Sequence, residues 1–456
     1  MHKRWMRKVG MVGAVAALTL AACNGEEDAG SGDDATGNGE SSSSGDADTL
    51  RVALIGGYEM SSTTDPITGE TVEGLEVIKD EFESQNPDIE VEFIVMPWSN
   101  HVANTQAMMS SGEADIYQMP GINDFAAQGM LEPLQPLIDE DGFDLDVYID
   151  NQVEGWLTQG PDDDDLAIYG LPAFGDSRFV AYDGQLFEEW GVEPLSDYPD
   201  MEEILEKAEQ MTGENPVTGE QNYGAWFSGE HSTLFQLVNA AEGQNRQWGE
   251  GYEWSEIEFA FNSDEMVTGL EWLVDINEFT PDGNMSAQGN EQWMTENNNI
   301  AIRLHAESAE IIQQVQAQGL EDRIHVVQEF KNDEGIGGMF AGSPLSIAAD
   351  SENQDIAFEF LKFTASDFFQ EFMWEQHSGV PVVEAASDWA SIQELELMEG
   401  VLEAAANPWT PRYPWSSSQP RYILQTAVED ALTGGTDAED ALENAQAESE
   451  QWLEDR

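Results

Sequence analysis

The chain holds a single cysteine, Cys23, so no disulfide can form within it, and its stability must come from packed cores. Basic residues are scarce: Lys plus Arg number 16 against 91 Asp plus Glu, a formal net charge of −75. Nucleic acid or an anionic bilayer would be repelled, which argues against either as a direct partner. The six histidines are scattered, and no D-x-[DN]-x-[DN]-G loop ending in Glu is present. The sequence therefore offers no metal centre and implies no cofactor. The run Asp162–Asp165 reads as a solvated turn. G-x-S-x-G, H-E-x-x-H and the phosphate-cradling P-loop are absent as well. No apolar stretch after the N-terminal segment is long enough to span a bilayer.

What is present begins at the N-terminus. Lys3, Arg4, Arg7 and Lys8 precede the short apolar run Val9–Leu20, the layout of a secretory signal over residues 1–22. Leu20-Ala21-Ala22-Cys23 resembles the bacterial lipoprotein signal, which implies that Cys23 is acylated and becomes the new N-terminus. Residues 24–48 contain no aromatic residue, Lys or Arg. Such a segment cannot bury enough apolar surface to offset its ordering entropy. It is expected to be a flexible acidic tether (23–48 with its cysteine) reaching roughly 25–30 Å. The remaining chain is long enough for two or three domains or one two-lobed unit. With 40% hydrophobic residues, 14 Trp and 20 Phe it can build sizeable cores, under a carboxylate-covered surface of the kind halophile proteins carry.

The body reads as α/β. Leu50–Ile55 is a buried strand ending at Gly56-Gly57, and Val72, Leu75, Ile78 and Phe82 share a helical face over Val72–Asn86. Ile89, Val91, Phe93 and Val95 alternate as a strand. A helix over His101–Ser111, a strand over Asp115–Met119 and a helix near Ile122–Gln128 follow. Strands alternating with helices imply a parallel sheet. Tyr169–Asp183 is another apolar stretch. Helices are expected over Gln185–Trp190, Met201–Met211, Ser232–Ala241, Ser263–Phe279, Glu307–Gln318, Gln354–Phe363, Phe368–Gln376, Glu394–Ala406 and Arg421–Leu432. Phe259 and Ile300–Leu304 read as short strands.

Several segments carry a resemblance. Ser111-Gly112-Glu113-Ala114-Asp115-Ile116, Gly129-Met130-Leu131-Glu132-Pro133-Leu134, Tyr169-Gly170-Leu171-Pro172, Ala181-Tyr182-Asp183, Ala357–Phe363, Gly379-Val380-Pro381-Val382 and Thr426–Ala445 occur in this order. Together they resemble the extracellular solute-binding lipoproteins of carbohydrate ABC importers, the maltose-binding-protein-like group, over most of residues 49–456. The resemblance implies a two-lobed clamshell, each lobe a mostly parallel sheet flanked by helices. Lobe one would be 49–174 plus 341–378, and lobe two 179–336 plus 385–456. It implies a monomer, held on the extracytoplasmic face of the cell membrane through its lipid alone. That monomer would take up a sugar or oligosaccharide by hinge closure and deliver it to permease subunits with their ATPase.

A sugar offers hydroxyls and apolar C–H faces, so its site needs carboxylates or amides as acceptors and flat rings for cover. Tyr58 and Glu59 follow the first strand, and strand carboxyl ends are where open α/β sheets bind ligands. Asp176 lies at the expected crossing between lobes and matches a ligand-binding carboxylate of the group. Arg178 is an alternative, purely structural partner for it. Asp124 is either a sugar contact or a plain helix N-cap. Trp409, Tyr413 and Trp415 sit among prolines before Arg421 and would line the cleft or pack between lobes. Trp226, His231, Ser232, His305 and Glu307 match second-lobe contact positions. Arg421 stands where maltose-binding protein has a stacking tryptophan. The rival reading, a polysaccharide hydrolase or lyase, requires a close pair of carboxylates and has no motif here. The resemblance implies a binding protein and not an enzyme.

Overall fold

The computed structural model describes residues 48–455 apart from 65–68, 70, 151, 162, 164, 228, 247, 252–254, 287, 290–291, 329, 334–338, 394–400 and 402–418. Cys23, the signal, the tether up to residue 47, and Trp409, Tyr413 and Trp415 lie outside the described residues, as does nearly all of the helix expected over Glu394–Ala406.

Asp48–Ile55 (β1) lies parallel to both Ile89–Met96 (β2) and Ile116–Gln118 (β3). Leu50, Val52 and Leu54 enter one core while Ala53 and Ile55 enter another. Successive strand residues face opposite sides, so a sheet covered on both faces reads as a nearly continuous apolar run. Glu76–Gln85 (α1) buries Ile78 and Phe82, one helical turn apart. His101–Ser111 (α2) ends on Gly112, whose φ of 65 suits a glycine helix stop. Asn123–Ala127 (α3) follows β3. One expectation shifts here. Thr71–Val72 pairs with Thr63–Thr64 as a short hairpin, and the helix starts only at Glu76. A Cβ on Gly74 would sit 2.3 Å from the Met60 carbonyl oxygen, so this close backbone contact fixes the loop before the helix.

The second half of the sheet starts with the 13-residue strand Leu171–Asp183 (β4), followed by Gly184–Trp190 (α4). Gly213–Glu214 (β5), Gln221–Trp226 (β6), Gly229–Glu242 (α5) and Asp264–Asn277 (α6) come next. Then come Ile300–Glu307 (β7), Ser308–Gln318 (α7), Ile324–Val327 (β8) and Met339–Ile347 (β9). Gln354–Thr364 (α8), Asp367–His377 (α9), Gln419–Leu432 (α10) and Ala438–Glu454 (α11) complete the fold. The nine strands run in the order β2-β1-β3-β9-β4-β7-β6-β5, with β8 paired to β4. The pairs β2–β1, β1–β3 and β6–β7 are parallel, while β9 and β4 join the two parallel blocks by antiparallel pairing.

Two large cores flank this junction. Leu50, Phe82, Phe360 and Val380 belong to the first, and Leu237, Leu273, Ile302 and Leu424 to the second. Strand β4 passes from one to the other: Leu171 and Ala173 pack in the first core, Val180 and Tyr182 in the second. The protein is thus two-lobed α/β with a mostly parallel sheet. Ala386, Ile392 and Val401, expected in the second lobe, pack in the first core. The reason is local: Val383 bridges Tyr148, and the turn Glu384–Asp388 follows directly.

Where β4 and β9 cross, Gly175 pairs with Gly342. Their bare backbones make room for rings. A Cβ on Gly175 would meet Phe340 Cζ at 2.2 Å, and one on Gly342 would meet Trp156 Cζ2 at 2.6 Å. Gly175→Ala is therefore expected to destabilise the fold by about 1–3 kcal/mol through overpacking. An unchanged urea midpoint would contradict that contact.

Candidate functional site

Strand β7 pairs with β4 through Ile302–Tyr182 and Arg303–Ala181, then through Ala306–Phe179 and Glu307–Arg178. Three steps on β7 thus oppose two on β4, which makes a bulge. His305 sits inside it, fully buried, with φ of 49. A left-handed backbone is costly for a residue with a Cβ and persists where the surroundings enforce it. The bulge bends the strand end so that Arg303 Nη2 lies 2.7 Å from Glu307 Oε2. Four regular strand steps would separate their backbones by roughly 13 Å.

Charged groups from β4 meet this strand end. Arg178 donates to Asp176 Oδ2, and its Nη2 lies 3.9 Å from Glu307 Oε1. Ser308, the first residue of α7, donates its hydroxyl to Asp176 Oδ1 at 2.5 Å and accepts the Ser177 N–H at 3.2 Å. A continuous chain Ser308–Asp176–Arg178–Glu307–Arg303 results. It continues into rings: the Arg303 guanidinium lies 4.9 Å over Trp226, and His305 stacks on Phe235 at 6.0 Å with planes 10° apart. The guanidinium of Arg421, on α10, lies 5.5 Å over Phe235 and 5.3 Å over Tyr422.

Trp98, just beyond β2, is 51% exposed and packs edge-on against His101 at 5.4 Å. His101 Nδ1 is 2.8 Å from the Trp98 carbonyl. Burial holds the His101 imidazole below its usual range, and the nearby Arg421 charge pushes it further down. Arg421 lies on α10, which packs in the second core, and His101 on α2, whose Met109 packs with Ala53 and Ile55. Burial likewise lowers the pKa of Arg421.

Asp176, Glu307, His305 and Arg421, read as site residues from the sequence, are thus brought into one cluster. The alternative of an Asp176–Arg178 pair also holds, within the same cluster. Trp226 is 2% exposed with one face under Arg303, so it supports the arginine from behind. Ser232 is buried in α5, and His231 precedes it on the same helix. Asp124 is the second residue of α3, whose N-cap position falls to Ile122; the capping alternative is not what the helix uses. The Tyr58 ring packs on the first core and edge-on to His377 at 5.3 Å. It folds back over Gly56, whose φ is 151 and whose Cβ would meet the ring at 2.8 Å. Burial raises the pKa of the Tyr58 hydroxyl. Glu59 is exposed, and its carbonyl accepts the Leu75 N–H. A separate cavity of about 440 Å³, lined by Asp146, Asp150, Glu154 and Glu384, shares no residue with the cluster.

Sequence reasoning missed Arg303, Ser308, Phe235 and His101. Only Ser308 had a readable signal, as the residue opening a helix straight after a strand. Among the described residues no group of three His, Cys, Asp or Glu side chains is placed to hold a metal ion, and no helix is long and apolar enough to cross a membrane.

Residues 68–370, well over half of the chain, match the family model described as bacterial extracellular solute-binding protein. The chain belongs to that family. Its fold is that of sugar-binding ABC transporter substrate-binding proteins. The solved ABC substrate-binding protein of Listeria monocytogenes in complex with cycloalternan superposes with a TM-score of 0.69 at 17% identity, over 90% of this chain and 99% of that one. A solute-binding protein of Thermotoga lettingae bound with α-D-tagatose gives 0.70 at 19% identity, over 89% and 100%. The sugar-binding protein MalE of Xanthomonas citri gives 0.70 at 17%, over 90% and 98%. Curated binding proteins of Brucella abortus and Brucella suis are 29% identical over 177 residues, 38% of this chain. The match spans 39% of the length of those curated relatives.

One titrating group of this solute-binding protein lies behind Tyr58. Burial holds the His377 imidazole down to about 4 from an ordinary 6.5, against a raising hydrogen bond with the Glu73 backbone. The unfolded chain therefore takes up a proton between pH 6.5 and 4 that the folded state refuses, so this contribution to stability is present above pH 6.5 and is lost as pH falls through that window. His377→Gln is expected to flatten the fall in melting temperature over that range. Parallel wild-type and variant profiles would remove His377 from the account.

Proposed function

We propose that this protein captures a sugar or oligosaccharide between its two lobes and hands it, unchanged, to ABC permease subunits driven by their ATPase. The observation that carries the reading is the Asp176 cluster. It lies where the carboxyl ends of β6 and β7 meet the crossing strand β4, and His101, on the helix after β2, lies near enough to feel the Arg421 charge. Ligands of open parallel sheets bind outside strand carboxyl ends. Carboxylates, guanidinium groups and exposed rings are the groups a hydroxyl-rich ring can use. The solved relatives bound to cycloalternan and α-D-tagatose support the saccharide class.

In the mechanism, both lobes touch the ligand, so the ligand favours the closed state by its differential affinity for it. Strands β4 and β9 carry the bend. Hinge closure of periplasmic binding proteins is a standard instance of this transition. The chain crosses between the lobes near residues 174–179 and 339–341, and again beyond Val401. Glu307, Asp176 and Arg421 contact the ligand from one side and Trp98 from the other, with Asp124, Glu59, Ser232, His231, Trp409, Tyr413 and Trp415 as further candidates. The protein is a monomer that performs no chemistry. Acylated Cys23 and the acidic tether hold it at the extracytoplasmic face of the cell membrane.

Calorimetry of the mature protein against mono- and oligosaccharides, with chromatography of the recovered ligand, tests the reading. Binding followed by recovery of intact ligand is expected. Cleaved or eliminated product would establish the hydrolase or lyase alternative instead.

A further inference from the structure

His101 opens α2, a few residues beyond the carboxyl end of β2. Its Nδ1 lies 2.8 Å from the Trp98 carbonyl oxygen. A carbonyl oxygen can only accept, so Nδ1 carries the proton, and in the neutral ring Nε2 is then an acceptor. The Trp98 carbonyl is the imidazole's one hydrogen-bond partner among the described residues, and Nε2 is not among the polar atoms sealed in the interior. Its lone pair is therefore open. The edge-on contact with the Trp98 ring at 5.4 Å holds the imidazole plane.

The surroundings keep this ring neutral. Burial and the Arg421 charge act against the imidazolium, while the Trp98 carbonyl favours it; the balance lowers the pKa. The first turn of a helix, the positive end of its dipole, also disfavours a cation. Arg421 is the charged group whose field reaches His101, and Trp98, on its other flank, is uncharged. Trp98 is also the most exposed large apolar ring among the described residues, at 51%. A flat open ring beside a hydroxyl acceptor, near the carboxyl end of a parallel strand, meets the two needs of a sugar edge: cover for its C–H face and a place for a hydroxyl proton.

Resting on the saccharide reading above, we propose that Trp98 and His101 act as a unit, His101 Nε2 accepting a ligand hydroxyl beside the Trp98 face, and that this one imidazole makes capture of an uncharged saccharide pH-dependent. The acceptor exists only in the neutral ring. Protonation turns Nε2 into a donor and leaves the ring no acceptor, and an imidazolium covered by a sugar must also give up water. Binding therefore excludes one proton. Affinity is full above the ordinary histidine value of 6.5 and falls as pH drops through the lower value that His101 has in the free protein. The limiting slope is about tenfold per pH unit, as for any single excluded proton.

The test is calorimetry of the mature protein with uncharged probes, namely glucose, galactose, maltose, cellobiose and their longer oligomers, so that the ligand itself does not titrate. The tightest binder is then followed from about pH 7.5 down to about pH 5, the span in which a histidine changes charge. Wild-type affinity is expected to fall over this span. His101→Gln offers an acceptor that does not titrate; it is expected to bind more weakly at the upper pH and to lose the slope owed to one proton. His101→Phe keeps a ring against Trp98 without an acceptor and is expected to bind about fivefold to tenfold more weakly at the upper pH, the worth of one hydrogen bond. Melting curves at each pH report whether each protein is folded. Parallel wild-type and His101→Gln profiles, or a His101→Phe protein that binds as tightly as wild type, would overturn the inference and leave the saccharide reading standing. Failure of every sugar to bind the wild-type protein would sink both.

Discussion

Replacing Asp176 by alanine is expected to weaken saccharide binding by roughly a hundredfold, about 3 kcal/mol, because truncating one member of a part-buried, hydrogen-bonded charge network leaves the remaining charges less compensated. The Asp176 side chain is 21% exposed and that of Arg178 13%, so water replaces the lost carboxylate only in part. Ser308 loses its acceptor at the same time. Arg178 then turns wholly toward Glu307, 3.9 Å away, and pulls that carboxylate off Arg303. Asp176→Asn keeps one acceptor oxygen and is expected to lose less. Calorimetry with a binding saccharide measures both variants. Unchanged affinity in a folded Asp176→Ala protein would remove the residue from the site.

The second large effect is on stability. Asp183 ends β4 with no exposed surface, and both oxygens are used. The backbone N–H groups of Gln185 and Leu186 donate to Oδ1, making Asp183 the N-cap of α4. Arg323 Nε donates to both oxygens at 3.0 and 2.8 Å, and Asn298 Nδ2 donates at 2.7 Å. A buried ion pair of this kind is not a large net stabiliser, since desolvation offsets attraction, but removing one partner is costly. Asp183→Ala is expected to lower stability by about 3 kcal/mol, combining a lost cap with a part-buried guanidinium deprived of its carboxylate and left with the Glu296 carbonyl. A shift of the urea midpoint measures it. A loss near 1 kcal/mol would mean that only the cap matters.

Much of this architecture was legible because local and global demands agree. β1, β2 and α1 announce themselves through apolar spacing that matches their period, and Asp183 through its place after Ala181-Tyr182. The strand β9 was not legible. Met339–Ile347 contains Gly342 and Pro344, both normally breakers, and the register slips between Ser343 and Pro344 to accommodate them. β6 was hidden similarly, since Gln221-Asn222-Tyr223-Gly224 is polar and holds a glycine that backs directly onto the Ala208 carbonyl, 1.9 Å from a would-be Cβ. At the site, residue identity could be read but not assembly. Asp176, Glu307 and Arg421 are far apart in the chain. The pairing of Arg303 with Glu307 depends on a bulge at His305, and a bulge is a tertiary compromise with no sequence period. Tyr58 read as facing the cleft because of its strand-end position. The turn at Gly56 instead folds its ring onto the first core.

Small-angle scattering of the mature protein, with and without a saturating saccharide, tests the central claim most directly. The account expects the radius of gyration to fall when ligand binds, as the lobes joined by β4 and β9 close over the Asp176 cluster. Tight binding with an unchanged radius of gyration, from the same samples, would contradict it.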